Sequence, residues 1–321
     1  MLAKRKIYPR AAPTVARNAV RQAVISKSDF VAFLNRRLRR FDIAVIRHSE
    51  LWRMTAHLGR QPVPTGPAAP ARAPLLRVLG PEPGHATFDF AVVMPSLLRP
   101  TLGRALASVF AQDFPGTVQT LIGIDMPRGD LAEVEAACRA RPANHTVLLF
   151  DPGYSTSVRH GGLHPAWDGG VLRTVLSYLA ASRRVAYLDD DNWWAPAHLS
   201  SLAAALEGHD WAWSLRFHVE PGADGAMRED RWESVGPGRG VFPEGWVDPN
   251  TLAIDKLACE AVLRWWGLPK PDSPTGTSGD WNVFRHLSNA YRGRGTGRAT
   301  AYYTVKDRIP VYDTPPVAIG G

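Results

Sequence analysis

The run "RVAYLDDDNWWAP", residues 184–196, sets an apolar segment directly before three aspartates, two tryptophans and a proline. Three adjacent carboxylates repel one another and have poor helix and strand propensity, so packing gives little reason for them. In extended geometry alternate side chains share a side, so Asp189 and Asp191 are expected to converge while Asp190 points elsewhere. Clustered hard oxygens suit Mg²⁺ or Mn²⁺, which keep waters and phosphate oxygens as their remaining ligands. The competing reading is a solvated turn whose Asp or Asn caps the helix "APAHLSSLAAAL", 195–206, with Pro196 near its start.

The runs "FDFAVVM" (88–94), "TVQTLIGID" (117–125), "HTVLLF" (145–150) and "RVAYLDD" (184–190) read as buried strands. Between them "TLGRALASVFAQD", "LAEVEAACRA" and "VLRTVLSYLAAS" carry helical periodicity. Strands alternating with helices predict an α/β domain with a mainly parallel sheet covered on both faces. Ligands bind such sheets beyond the carboxyl ends of the strands, which is where the aspartates sit.

The net charge of +8 is uneven. Residues 1–60 carry 14 Lys/Arg against Asp29, Asp42 and Glu50, a net of +11, and the remainder carries 24 against 27, a net of −3. Phe30, Leu34, Leu38, Phe41 and Val45 fall at helical spacing with Arg36, Arg37, Arg39 and Arg40 mostly off that stripe, an amphipathic basic helix. Seven prolines in residues 61–85 mark a linker. The expected organisation is a basic helical arm (1–60), a linker (61–85) and an α/β body (86–321). No apolar run reaches the ~18–20 residues of a membrane span, and the N-terminus lacks the apolar core of a secretory signal. With only Cys138 and Cys259, neither a disulfide framework nor a cysteine zinc site is expected, and a cytoplasmic protein fits, with peripheral contact at the inner membrane face through the arm.

These features together resemble the family-2 glycosyltransferases with the GT-A fold. "LDDDNWWAPAHL" is similar to their D-x-D motif, with Asp189 and Asp191 as its acids. "AVVMPSLLRPTLGRALASVFAQDF" resembles their first strand, Pro-containing loop with Arg, and helix ending Ser-Val-x-x-Gln, here Ser108, Val109 and Gln112. Asp125, ending "IGID", falls where the family places an acid on the nucleotide base. Arg173 stands where an Arg precedes the D-x-D strand. The resemblance implies an inverting enzyme that uses a UDP- or GDP-sugar donor and a divalent cation, Mn²⁺ or Mg²⁺. Asp189 and Asp191 would hold the metal, and Pro95, Ser96, Arg99, Asp125, Arg173 and Asp190 the donor. Asp280 would be the catalytic base and a glycan or lipid-linked hydroxyl the acceptor. Two departures stand out: Thr174 and Leu176 replace the family's Asn and Gly, and Gly279 replaces the Glu before Asp280.

Each assignment has a plainer counterpart. Asp280 could cap the helix "WNVFRHLSNAY", and Asp125 could belong to the surface turn "DMPRGD". Of the tryptophans, Trp193, Trp194 and Trp281 are expected to line a cleft and the rest to be core. His286 is a candidate extra metal ligand, and "RGRGTGR", 292–298, reads as a basic mobile loop without a P-loop ending. Rival functions are a sugar-nucleotide pyrophosphorylase, whose glycines "MPSLLRP" lacks, and a non-catalytic module docking through the arm on a membrane or nucleic acid. No nucleic-acid-binding motif is present.

Overall fold

The computed structural model describes residues 75–79, 87–125, 129–166, 169–219, 227–229, 246–268 and 279–305, together with position 34. Apart from position 34, these belong to one unit of the chain, Ala73–Gly321. The basic arm of residues 1–60 otherwise lies outside the described residues.

Ten strands form one mixed sheet: β1 Leu76–Leu79, β2 Phe90–Ser96, β3 Val118–Ile124, β4 His145–Phe150, β5 Arg184–Tyr187, β6 Trp193–Trp194, β7 Trp211–Val219, β8 Met227–Glu229, β9 Leu252–Asp255 and β10 Gly293–Thr304. The order is β1-β4-β3-β2-β5-β9-β7-β10-β6, with β8 paired to β7. The block β4-β3-β2-β5 is parallel, whereas β9 runs antiparallel between β5 and β7. β1 pairs antiparallel with β4, so the sheet begins inside the proline-rich stretch. The helices are α1 Leu102–Phe110, α2 Leu131–Arg139, α3 Gly170–Leu179, α4 His198–Leu206 and α5 Gly279–Ala290.

Alternation along β2 shows why both faces are covered. Phe90, Val92 and Met94 join one core with α1, α2 and α4, and Ala91 and Val93 join another with Leu176 of α3 and Phe284 of α5. Each fully buried Val, Leu or Phe contributes about 1.5–3 kcal/mol, so a strand with no polar face is fixed in this layer. Gly123 of β3 lets α3 approach, since a Cβ there would lie 2.9 Å from Leu176 Cδ1. The departure at Leu176 therefore serves this contact, and the hydroxyl of Thr174 donates to Leu263 O at 3.1 Å.

The expected loop at 292–298 is instead the start of β10, parallel to β7. Its glycines make room for aromatic rings: a Cβ on Gly293 would lie 2.2 Å from Trp211 Cε2, and one on Gly295 3.0 Å from Trp213 Cε2. A strand built of glycine and arginine has no period-2 apolar signal, so its pattern resembled a loop.

Candidate functional site

Three strand ends converge. Ser96 of β2 is in register with Ile124 of β3, and the next amide, Asp125 N, donates to Ser96 O at 2.9 Å. Asp125 is buried, with its Oδ1 accepting from Thr156 N at 2.6 Å, so it belongs to the floor of this edge and not to a surface turn. After β2 the chain enters the loop Ser96–Arg99, where Leu98 has φ +57°, a left-handed conformation rare outside glycine. Strain of this kind costs about 1–3 kcal/mol and persists where surroundings over-determine it.

Asp190 supplies that determination. Its Oδ2 accepts from Ser96 Oγ at 2.9 Å and Leu97 N at 3.0 Å, and its Oδ1 pairs with Arg99 Nη1 at 3.0 Å. Burial raises its pKa, against the opposing influence of Arg99, Ser96 and the Leu97 amide. Arg99 Nη1 also lies 2.7 Å from Asp191 Oδ2. Asp189 turns the other way: its Oδ1 pairs with Arg173 Nη2, its Oδ2 accepts from Asn250 Nδ2 at 3.1 Å, and its amide donates to Asn250 Oδ1 at 2.7 Å.

Asp190 and Asp191 thus meet on Arg99, while Asp189 pairs with Arg173. The reason is local. Regular strand ends at Tyr187, and Asn192 N donates to Asp189 O at 3.2 Å, so the aspartates occupy a turn in which strand alternation no longer applies. None of them caps α4, whose N-cap is Ala197 without a side-chain bond. That helix start is served by Gln112, whose Oε1 accepts from Leu199 N at 2.8 Å while its Nε2 donates to Ala195 O at 2.9 Å. Gln112 thereby ties the end of α1 to the segment leaving the aspartates.

Pro95 and Arg173 meet at Gly169, the residue before α3, which has φ +72° and would bring a Cβ within 2.7 Å of Pro95 Cβ. Arg173 itself is buried, with its guanidinium 5.4 Å from the Trp266 ring centroid. Asn250 Nδ2 also donates to Asp248 Oδ1 at 2.7 Å, and Asp248 Oδ2 pairs with Arg216 Nη1. The Arg216 guanidinium lies 4.7 Å from the ring centroids of both Trp246 and Tyr303. Trp246 Nε1 donates to Asp280 Oδ2 at 2.9 Å.

Asp280 stands inside the first turn of α5, and its Oδ1 accepts from Trp281 N at 2.8 Å. Gly279 has no room for a side chain: a Cβ would lie 2.4 Å from Trp266 O. The absence of a Glu there follows from how closely α5 approaches the segment bearing Trp266.

Of the expected cleft tryptophans, Trp194 is core, with its Nε1 donating to Asn250 O at 2.7 Å and its ring stacked on His198. Trp193 and Trp281 are half-buried, and Trp193 lies between Tyr302 at 5.2 Å and the guanidinium of Arg104 at 3.6 Å. His286 stacks on Trp265 at 4.0 Å. Among the described residues no group of three or more His, Cys, Asp or Glu is arranged to hold a metal ion. Asp190 and Asp191 share Arg99 Nη1, which lies 3.0 Å from Oδ1 of the first and 2.7 Å from Oδ2 of the second.

The resemblance marked "VDPNTLAIDK" (247–256) as an acceptor-side edge without singling out Asp248 or Asn250, and sequence reasoning missed Arg216, Trp246 and Arg104 as parts of this assembly. That stretch carried a signal for Asp248 and Asn250, because Asp-Pro-Asn sets up a turn: Asp248 Oδ1 accepts from Asn250 N at 2.9 Å. Arg216 and Arg104 had none, since each sits singly in a strand or helix.

No protein-family model matches the chain, and none of the curated proteins compared with it matches. Among solved structures, the chain is similar to residues 1–349 of TarS from S. aureus, at 16% identity and a TM-score of 0.48, over 67% of this chain and 60% of that one. The same protein in complex with UDP-GlcNAc gives 12% identity and a TM-score of 0.48, over 70% and 61%. A mannosyltransferase from Pyrobaculum calidifontis, in complex with GDP-Man and Mn²⁺, gives 13% and 0.46, over 80% and 64%. The chain thus spans less than two thirds of each, and likenesses this distant leave the chemistry to be read from the residues themselves.

Proposed function

We propose that this chain is a nucleotide-sugar-dependent glycosyltransferase of GT-A type that inverts the transferred anomeric centre. The observation that carries this reading is the meeting of Asp189, Asp190 and Asp191 with Arg99, Arg104 and Arg173 beyond β2, β3 and β5. Interleaved carboxylates and guanidiniums suit a ligand with both hydroxyls and phosphates, because acids accept from the former and arginines donate to the latter. The left-handed Leu98 in the same edge is the kind of strain that clusters at ligand sites.

Asp125 and the Ser96–Arg99 loop, seated on Pro95, would hold the nucleoside. Asp189, steered by Arg173 and Asn250, would present a fixed acceptor oxygen to the donor. Asp191, with Asp190 behind it, would hold a divalent cation, either Mn²⁺ or Mg²⁺. Such an ion, when bound, offsets the negative charge that grows on the departing diphosphate. Arg99 and Arg104, both in contact with Asp191, would add fixed positive charge there. Asp280 would take the acceptor hydroxyl's proton as that oxygen attacks the anomeric carbon from the face opposite the leaving group. A single displacement of this kind inverts the centre without a covalent intermediate.

The test is release of nucleoside diphosphate from a panel of UDP- and GDP-sugars, with Mn²⁺, with Mg²⁺ and with excess EDTA. Metal-stimulated release from one donor, lost in Asp191→Ala, supports the assignment. Failure of every donor to bind or react would leave the non-catalytic module as the better reading. Activity undiminished in EDTA would remove the cation from it.

For residues 1–60 we propose docking on an anionic membrane leaflet that presents a lipid-linked acceptor. The support is the net +11 of the segment. Each Lys or Arg near such a surface contributes on the order of 1 kcal/mol. Deleting residues 1–60 should abolish salt-sensitive binding to phosphatidylserine vesicles while leaving donor hydrolysis unchanged. Equal binding by the truncated and full-length chains would exclude it. Among the described residues no helix is long and apolar enough to cross a membrane.

A further inference from the structure

We infer that Trp246 is the positioning residue for Asp280 and the joint through which that carboxylate is fixed to the donor side of the site. The inference rests on the reading of Asp280 as base. A base at the start of a helix needs a partner that fixes its carboxylate, and the preceding position cannot supply one, because a Cβ at Gly279 would collide with Trp266 O. Asp280 accepts from Trp281 N on Oδ1 and from Trp246 Nε1 on Oδ2. The first is the amide of the next residue, which follows any movement of the helix start. The second comes from 34 residues away and fixes the carboxylate relative to the rest of the fold.

Trp246 is itself held. Its ring lies on the Arg216 guanidinium, which pairs with Asp248, and both members of that pair have side chains only 1% exposed. Asp248 Oδ1 takes both the amide and the side-chain nitrogen of Asn250, and Asn250 grips Asp189 through its amide and its carboxylate. One continuous series of hydrogen bonds, an ion pair and a cation–ring contact therefore runs from Asp280 to Asp189. Charge-assisted bonds and desolvated cation–π contacts are the stronger kinds of polar contact. The indole contributes in two directions at once, an N–H towards the base and a ring face towards the arginine. Phenylalanine would keep the second and lose the first.

Trp246→Phe separates positioning from folding. With the best donor and acceptor, kcat should fall ~10–100-fold while donor KM stays within about twofold, the range expected when a hydrogen bond to a charged group is lost. The contact is checked without turnover by the indole ¹H–¹⁵N resonance of Trp246, which should shift upfield and exchange faster in Asp280→Ala, with the other indole resonances unmoved. A Trp246→Phe enzyme with wild-type kcat, or a Trp246 indole resonance indifferent to Asp280→Ala, overturns the inference. If wild-type protein turns over no donor, the glycosyltransferase reading fails, and the indole resonance still decides whether the contact exists.

Discussion

Arg216 and Asp248 form an ion pair sealed from solvent, each side chain 1% exposed. A buried pair is poor evidence of net stability, because desolvation offsets much of the attraction, but removing one partner strands the other's charge. Arg216→Met keeps much of the volume and leaves Asp248 uncompensated. It should lower the unfolding free energy by about 3–5 kcal/mol, read from urea denaturation as a lower midpoint at constant slope. A loss below about 1 kcal/mol would show that the pair is not sealed in solution.

Asp190, expected to point away from its two neighbours, turns to the loop that follows β2. Asp190 satisfies Ser96 Oγ, Leu97 N and Arg99 together, and so holds the left-handed Leu98 in place. Each buried donor left without an acceptor costs about 1–3 kcal/mol. Asp190→Ala should lose roughly 2–4 kcal/mol and its donor affinity together. Asp191→Ala, which leaves Ser96 and Leu97 satisfied, should lose turnover with a smaller fall in melting temperature. Equal melting temperatures for the two variants would refute the assignment.

The strands β2 to β5 were legible because a doubly covered parallel sheet writes itself as unbroken apolar runs, and "FAVVM" and "VAY" are such runs. The position of the aspartates at a strand end followed from the same pattern. Their directions did not, because the turn that begins at Asp189 cancels strand alternation. β1 was hidden by its proline-rich flanks, and β10 by glycines whose purpose is room for Trp211 and Trp213 on another strand. Arg216, Asp248 and Trp246 come together from separated parts of the chain through tertiary packing, which leaves no local trace.

His145 and His198 are both buried, and burial pushes their pKa values down to about 4 and about 3. The ordinary value near 6.5 applies in the unfolded chain, so between there and the folded values the unfolded state binds more protons. Stability is therefore complete above about pH 6.5 and is lost as the pH falls, by about 1.4 kcal/mol per pH unit for each histidine. His198→Gln should reduce the slope of unfolding free energy between pH 6 and 4.5 by about that amount. An unchanged slope would mean that His198 is accessible to protonation in the folded state.

Gly279→Ala tests the close approach of α5. A Cβ 2.4 Å from Trp266 O must push backbone, not a flexible side-chain end, and overpacking of this kind costs about 1–3 kcal/mol. Gly279→Glu should be at least as damaging and should not raise turnover, although it restores the Glu-Asp pair that the resemblance implies. Wild-type melting by either variant would show that α5 sits farther from Trp266 than this.

Asp280→Asn separates a proton acceptor from a structural carboxylate. The amide keeps one carbonyl oxygen, enough for either Trp246 Nε1 or Trp281 N, and Asp280 lies in the first turn of α5, so the helix should survive. Loss of the negative charge near a helix N-terminus costs about 0.3–1 kcal/mol and the donor left without an acceptor about 1–3 kcal/mol, which together set the expected fall in stability. What the amide cannot do is accept the acceptor's proton. Turnover to acceptor should fall ~10²–10⁴-fold with donor KM nearly unchanged, the size of effect a general base supplies. Donor hydrolysis by water should fall as well if the same carboxylate deprotonates the water, so both products are measured. A rate per folded molecule equal to wild type would leave Asp280 a helix-terminal carboxylate and move the search for the base elsewhere in the cleft.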